Sequence, residues 1–200
     1  MRPVMEETYR DLSEGRIPIV VAPTGYGKTR ASPEIYERAK SEGMAGGLVH
    51  VAPLRSLVHR IYEDTFKEYG GAYQMHVPPK QGDEAISPHD KSPYFLRDLV
   101  VTTLDSFTLN MYRLPILESL KIESGLSLGH YYPVYTSVLS SVVVFDEAHL
   151  YLGEEAQDQG VTVETLEALV RFLAAAGTSL IVETATMKPS TLRSIASVIR

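Results

Sequence analysis

The chain has 200 residues, of which 44% are hydrophobic and 22% are charged, and it contains no cysteine. These values are typical of a single soluble globular domain, and they exclude disulfides, thiolate metal sites and a cysteine nucleophile. The formal net charge of −6 excludes an overall basic surface for nucleic acid, and we expect a cytoplasmic protein without a membrane span.

Apolar runs and segments with helical spacing alternate along the chain, which predicts an α/β domain over residues 1–200. After a helix within residues 1–15, we expect strands at 17–22, 48–52, 99–102, 142–145 and 179–183. The intervening and following helices are predicted at 28–41, 54–69, 106–113, 115–123, 163–176 and 189–199. The strands are continuous apolar runs, so the sheet should be mainly parallel and buried on both faces.

Three stretches are predicted to be irregular. Residues 70–96 are rich in glycine and proline and predict a loop insertion at the surface. We also expect loops after the short helix, over residues 124–136, and in the acidic segment 150–160. The polar motifs, in contrast, all follow a predicted strand, and they should therefore meet at one edge of the sheet.

A glycine-rich segment follows the first strand: Ala22-Pro23-Thr24-Gly25-Tyr26-Gly27-Lys28-Thr29. It fits the pattern G-x-x-x-x-G-K-[ST], with Ala22 in the place of the first glycine. The backbone N–H groups of such a loop and the start of the next helix bind phosphate oxygens. Lys28 is placed to reach the β- and γ-phosphates of a nucleotide, and the Thr29 hydroxyl is placed to bind Mg²⁺.

A pair of carboxylates follows the most apolar strand, in the sequence Asp146-Glu147-Ala148-His149. Beside a phosphate loop, Asp146 would hold Mg²⁺ directly or through water, and Glu147 would polarise the attacking water as general base. His149 would link the nucleotide site to a part of the protein that moves. A solvated acidic turn explains the pair equally well when it is taken alone, but poorly beside the phosphate loop.

These motifs resemble, in their order, those of superfamily 2 helicases of the DExH/D type. The phosphate loop resembles motif I and residues 146–149 resemble motif II. The other three resemblances are Pro53-Leu54-Arg55-Ser56-Leu57 to motif Ia, Val101-Thr102-Thr103-Leu104-Asp105-Ser106-Phe107 to motif Ib, and Thr184-Ala185-Thr186-Met187 to motif III. Together the segments look most similar to the CRISPR-associated helicase of type I interference systems.

The resemblance implies a three-layer RecA-like P-loop NTPase domain that is the first lobe of an ATP-dependent DNA helicase or translocase. ATP and Mg²⁺ would bind between this lobe and a second RecA-like lobe, so we expect the isolated lobe to be weakly active or inactive. The resemblance also implies a CRISPR surveillance complex and an HD nuclease, separate or fused, as partners. In this sequence the pair His89-Asp90 has no partners at a useful spacing for such a nuclease site.

The resemblance implies further roles for residues at the strand ends. Single-stranded DNA would pass motifs Ia and Ib, where the candidate contacts are Arg55, Ser56, Thr102, Thr103 and Asp105. Thr184 and Thr186 would couple ATP hydrolysis to movement between the lobes. Two of these assignments have a structural alternative, since Arg55 could lie on a solvated helix face and Asp105 could cap the next helix.

Three other functions stay open. The chain could be a P-loop ATPase or kinase that does not act on nucleic acid, although motifs Ib and III argue against a kinase. It could be a nucleotide-binding module that hydrolyses almost nothing, or a superfamily 2 helicase outside CRISPR systems. Adenine recognition is not assigned, because Met5 stands where the adenine-reading glutamine would be expected.

Overall fold

The computed structural model describes residues 2–75, 90–113, 116–129, 132–152, 163–186 and 189–198. Within these ranges the chain alternates strands and helices. The strands are β1 (Ile19–Val21), β2 (Gly47–Ala52), β3 (Ala72–Gln74), β4 (Leu99–Thr103), β5 (Ser141–Phe145) and β6 (Ser179–Thr184). The helices are α1 (Pro3–Ser13), α2 (Lys28–Ser41), α3 (Arg55–Asp64), α4 (Leu104–Met111), α5 (Ile116–Glu123), α6 (Tyr132–Leu139), α7 (His149–Leu152), α8 (Val163–Ala175) and α9 (Pro189–Val198), with a 3₁₀ helix at Phe66–Tyr69.

The described strands form one sheet in the order β1-β6-β5-β2-β4-β3, and every pairing in it is parallel. Parallel neighbours require crossover connections, and helices supply most of them. All the carboxyl ends of the strands therefore point to the same edge. The predicted α/β class with a mainly parallel sheet is confirmed.

Two apolar clusters cover the two faces of the sheet, which makes the domain three-layered. On one face α1, α2 and α3 pack through side chains such as Leu12, Ile35 and Val58. On the other face α4, α6 and α8 pack through side chains such as Phe107, Val138 and Leu173. Because β2, β4 and β5 are buried along their whole length, they read in the sequence as mainly apolar runs.

The structure corrects several local predictions. Strand β3 lies at residues 72–74, inside the segment predicted as loop; residues 76–89 of that segment lie outside the described residues. The helix predicted at 54–69 ends at Asp64, and the 3₁₀ helix follows after Thr65. Helix α6 begins at Tyr132, where a loop was predicted. Of the predicted acidic loop, α7 occupies the start, and residues 153–162 are not described.

None of the described helices is long and apolar enough to cross a membrane.

The start of β2 is a tightly packed point in the sheet. A Cβ atom added to Gly47 would lie 2.8 Å from Ser141 Oγ and 3.0 Å from the carbonyl oxygen of Asp98, which accepts the Leu48 N–H. At the neighbouring Gly46 the nearest atom would be 3.7 Å away. Only the first of these positions requires the absence of a side chain.

We therefore expect Gly47→Ala to lower the free energy of unfolding by about 1–3 kcal/mol, because the added methyl group forces β2 away from its neighbours. The matched control is Gly46→Ala, which should change the free energy of unfolding by less than about 0.5 kcal/mol. Urea denaturation of the two variants provides the measurement. Equal stability of the two variants would contradict the packing argument.

Candidate functional site

The glycine-rich segment forms a tight loop that joins β1 to α2. Gly25 and Gly27 have φ values of +80° and +97°, which glycine adopts without a steric penalty. Gly27 directly precedes α2 and supplies no side-chain cap, so the first N–H groups of the helix lack that partner. Ala22 N–H donates to the carbonyl oxygen of Thr184 at 3.0 Å, which ties the loop to the end of β6.

Lys28 lies beneath this loop. Its side chain is buried, and Nζ donates a hydrogen bond to the carbonyl oxygen of Ala22 at 2.7 Å. The ammonium group is thus held at the first residue of the loop, close to the position where it would meet a phosphate group.

A cavity of about 530 Å³ opens between the phosphate loop, β5 and α3. Most of the predicted nucleotide-site residues lie on its wall: Thr24, Gly25, Gly27, Lys28, Thr29, Asp146 and Glu147. The opposite wall comes from α3 and the residue after it, with Leu57, Arg60, Ile61, Asp64 and Thr65. Pro23 and Tyr26, which the sequence also placed in this site, do not line the cavity. The Tyr26 ring lies instead under the Arg2 guanidinium, 5.0 Å from its centroid.

Asp146 is almost completely buried at the end of β5. Its Oδ1 accepts the N–H of Glu147 at 2.8 Å, and its Oδ2 lies 3.2 Å from His50 Nε2. Burial alone would raise the pKa of Asp146, but the hydrogen bond from His50, the N–H of Glu147 and the charge of Lys28 together lower that pKa below its usual value. The carboxylate is therefore kept ionised and available to a cation.

Glu147 has a φ of +50°, which is uncommon for a residue with a side chain. Its Oε2 accepts the N–H of Ala185 at 3.1 Å, and His149 Nδ1 lies 3.4 Å from the same oxygen. His149 Nδ1 is also 2.9 Å from Thr184 Oγ1, which in turn donates to the carbonyl oxygen of Thr186. The segment after β5 is thus hydrogen bonded to the segment after β6, and the predicted coupling residues lie in that link. Met187 is outside the described residues.

Of the residues predicted to contact nucleic acid, the structure exposes three and buries two. Arg55 and Ser56 are exposed at the start of α3, and Asp105 is exposed in the first turn of α4. Thr102 is fully buried and donates to the carbonyl oxygen of Gln74, so its side chain is hydrogen bonded within the domain, and its contact with DNA stays a prediction.

Thr103 is also buried, and its Oγ1 accepts the N–H of Ser106 as the N-cap of α4. Its side chain is therefore used within the domain, and the alternative role of Asp105 as the cap is wrong.

Sequence reasoning missed three buried polar residues near the cavity: Ser32, His50 and Glu183. Glu183 has no exposed surface, and neither carboxylate oxygen has a hydrogen-bond partner among the described residues. Burial raises the pKa of Glu183 to about 8, and the negative charge of Asp146 contributes to this rise. A single polar residue inside an otherwise apolar strand was the available signal for His50, and a carboxylate near the end of a buried strand was the signal for Glu183.

The side chains present fit a nucleotide with Mg²⁺. The ammonium of Lys28 and the uncapped start of α2 suit phosphate oxygens, and the Thr29 hydroxyl and the Asp146 carboxylate are hard oxygen ligands. In the described part of the chain, no group of three or more histidine, aspartate or glutamate side chains is arranged to hold a metal ion. In proteins Mg²⁺ is usually held by one or two carboxylates together with substrate phosphates and water.

A phosphate loop and a carboxylate pair at the carboxyl edge of a parallel sheet define a P-loop nucleotide-binding domain with a RecA-like fold. The family model of the DEAD/DEAH box helicases matches residues 2–195, and the chain belongs to this family. No curated protein sequence matches the chain.

Several solved structures share the fold. The ADP complex of T. fusca Cas3 matches with a TM-score of 0.66 and 18% identity over 99% of this chain and 22% of that one. The Hef helicase domain of Pyrococcus furiosus matches with a TM-score of 0.56 and 19% identity over 100% of this chain and 36% of that one. A chain of a CRISPR RNA-guided surveillance complex before nicking matches with a TM-score of 0.58 and 17% identity over 100% of this chain and 20% of that one. The chain thus spans about a fifth to a third of the structures that it matches.

The raised pKa of Glu183 makes the free energy of unfolding depend on pH. Because the native state keeps a proton on Glu183 that the unfolded chain releases above a pKa of 4.5, the free energy of unfolding should fall as pH rises from about 4.5 to about 8. Glu183→Gln removes this ionisation and should raise the free energy of unfolding by about 2–4 kcal/mol at pH 8. At pH 5 the gain should be much smaller.

Urea denaturation between pH 5 and pH 9, without nucleotide, measures this effect. The control is Glu68→Gln, which replaces an exposed glutamate and should leave the pH dependence unchanged. A gain from Glu183→Gln that does not depend on pH would show that Glu183 does not ionise in this window.

Proposed function

We propose that this chain is the ATP-binding motor lobe of an ATP-dependent DNA helicase or translocase that moves on single-stranded DNA in CRISPR interference. The observation that carries the proposal is the convergence of Lys28, Thr29, Asp146 and Glu147 on one cavity, although the two pairs are more than a hundred residues apart. The motif resemblance and the similarity to Cas3 support the CRISPR role.

Each of these side chains has a separate chemical task in the proposal. Lys28 releases the carbonyl oxygen of Ala22 and binds the β- and γ-phosphates, while Thr29 and Asp146 hold Mg²⁺. Bound Mg²⁺ would neutralise negative charge on the phosphates. Glu147 orients the attacking water and accepts its proton.

Coupling to movement would run through the hydrogen bonds between the ends of β5 and β6. Glu147 accepts the N–H of Ala185 and His149 contacts Thr184, so a change at the γ-phosphate that moves Glu147 also disturbs the segment after β6. We propose that this segment transmits the change to a second RecA-like lobe, which would supply the remaining charge stabilisation of the γ-phosphate.

Single-stranded DNA would lie across the carboxyl edge of the sheet, at the starts of α3 and α4. Arg55, Ser56 and Asp105 are exposed there, and the net charge of −6 favours contacts from hydroxyl and backbone groups over a broad basic surface. A CRISPR surveillance complex and an HD nuclease, fused or separate, are the proposed partners. The similarity to the Hef helicase domain favours a second candidate, a superfamily 2 helicase outside CRISPR systems.

Lys28→Ala tests the phosphate loop. The variant should lose ATP affinity by more than about a hundredfold, because the ammonium that contacts the phosphates is removed and hydrogen bonds to charged groups are strong. Fluorescence titration of the full-length protein with a labelled ATP measures the loss. Lys67→Ala, which removes an exposed lysine paired with Glu63, is the control and should bind normally. Normal affinity of Lys28→Ala would refute the phosphate-loop assignment.

Glu147→Gln separates binding from chemistry. The glutamine keeps an oxygen that can accept the Ala185 N–H, so ATP affinity should stay within about threefold of wild type. ATP hydrolysis stimulated by single-stranded DNA should fall by about 10²–10⁴-fold, because the group that accepts the proton of water is lost.

The measurement is steady-state phosphate release by the full-length protein with and without single-stranded DNA. Undiminished turnover would remove Glu147 from the role of general base. Wild-type turnover that does not respond to DNA would favour an ATPase that does not act on nucleic acid.

A further inference from the structure

His50 lies in the middle of β2 with no exposed surface, and the other residues of the strand are apolar or glycine. Burying an imidazole costs free energy unless its polar atoms are hydrogen bonded, and an aliphatic side chain would fill the same place at lower cost. The hydrogen-bond partners of the two ring nitrogens therefore indicate the role of His50.

Both nitrogens of His50 have buried partners on different elements. Nε2 lies 3.2 Å from Asp146 Oδ2, and Nδ1 lies 3.1 Å from Ser32 Oγ on α2. An ionised carboxylate can only accept, so Nε2–H is the donor to Asp146. In the neutral tautomer Nδ1 then accepts the hydroxyl proton of Ser32, and both ring nitrogens of His50 are hydrogen bonded.

The backbone places these three residues on one face of the sheet. His50 pairs in register with Val144, and Asp146 follows two residues later, so both side chains point to the same side. Ser32 lies four residues after Lys28 on α2, which puts both on the same side of that helix. The hydrogen-bonded chain thus connects the helix of the phosphate loop to the carboxylate at the end of β5.

The orientation of Asp146 depends on two donors. Oδ1 accepts the N–H of Glu147 and Oδ2 accepts His50 Nε2–H, so rotation of the carboxylate would break one bond or the other. A carboxylate offers about four lone-pair positions, and two therefore remain for a cation or its water ligands. The Phe66 and His50 rings pack in a T-shaped arrangement with centroids 5.8 Å apart, which restricts the imidazole further.

The order Ser32–His50–Asp146 is also that of a nucleophilic triad. However, Ser32 is only 1% exposed, and the residues that line the nucleotide cavity include Asp146 but neither Ser32 nor His50. A substrate has no path to the Ser32 hydroxyl, so the arrangement does not suit covalent catalysis.

We propose that His50 is a positioning residue that holds the Asp146 carboxylate in the orientation needed for Mg²⁺, and that Ser32 fixes the His50 ring. Hydrogen-bond partners of a metal ligand act in this way, and their loss commonly weakens metal affinity by about 10–100-fold. The inference rests on the proposed function, because it takes Asp146 as the residue that holds Mg²⁺.

The test measures metal-dependent nucleotide binding by the full-length protein. The probe is the fluorescent, non-hydrolysable nucleotide mant-AMPPNP, titrated first in EDTA and then with increasing MgCl₂. His50→Leu removes the donor and keeps an apolar side chain of similar size, whereas His50→Gln keeps an N–H that can reach Asp146. Val49→Ala, on the opposite face of the same strand, is the control for general loosening of the core.

We expect His50→Leu to bind mant-AMPPNP in EDTA within about threefold of wild type, since the phosphate loop is intact. The MgCl₂ concentration for half-maximal tightening should rise by about 10–100-fold in His50→Leu, and by less than about fivefold in His50→Gln and Val49→Ala. If His50→Leu does not fold, Ser32→Ala replaces it, with an expected rise of about 3–10-fold.

The positioning role would be overturned if the MgCl₂ midpoint did not shift in His50→Leu and Ser32→Ala. It would also be overturned if Val49→Ala showed a shift equal to that of His50→Leu. Either result would leave the proposed function standing. Wild-type binding that does not depend on MgCl₂ would overturn both the metal site and this inference. In that case, loss of nucleotide binding in Lys28→Ala would still support the assignment of the phosphate loop as the nucleotide-binding site.

Discussion

The candidate site depends on the register of the parallel strands at their carboxyl ends. Val21 pairs with Thr184, and Val51 pairs with Phe145, so the segments that leave β1, β6, β2 and β5 begin at nearly the same level of the sheet. A slip of one residue would turn each following side chain to the other face. The phosphate loop and Asp146 meet because the backbone hydrogen bonds of buried strands do not permit such a slip.

This arrangement concentrates negative charge. The charges of Asp146 and Glu147 both act on the buried Glu183, and the buried ammonium of Lys28 opposes their effect. Burial is the main reason why the pKa of Glu183 is raised, and the negative charges of Asp146 and Glu147 add to the rise. In the proposed function, a divalent cation bound at Asp146 would offset the negative charge that Asp146 and Glu147 place at this edge of the sheet.

The parts of the site that are local in sequence could be predicted. The phosphate loop and the Asp146-Glu147 pair are short segments with characteristic residues, and each follows a recognisable apolar run. His50 could not be assigned, because its partners depend on a strand register and a helix orientation that the sequence does not state. The burial of Thr102 and Thr103 could not be predicted for a related reason, since β4 was expected to end at residue 102 but continues to Thr103, which keeps both threonines within the buried part of the sheet. Strand β3 is only three residues long and follows two glycines, so its pattern is too weak to separate it from a loop.

The pairing of β1 has a consequence for the synthesis of the protein. Among the described strands β1 contacts only β6, with Ile19 opposite Val182, and all the other strands lie between them in the sequence. On the ribosome, the phosphate loop therefore emerges before β6, and β1 has no neighbouring strand among those described until β6 has also left the exit tunnel. Contacts of such long sequence separation form late in folding. A nascent chain that stops before β6 carries the whole phosphate-loop sequence but not the strand that holds it in place.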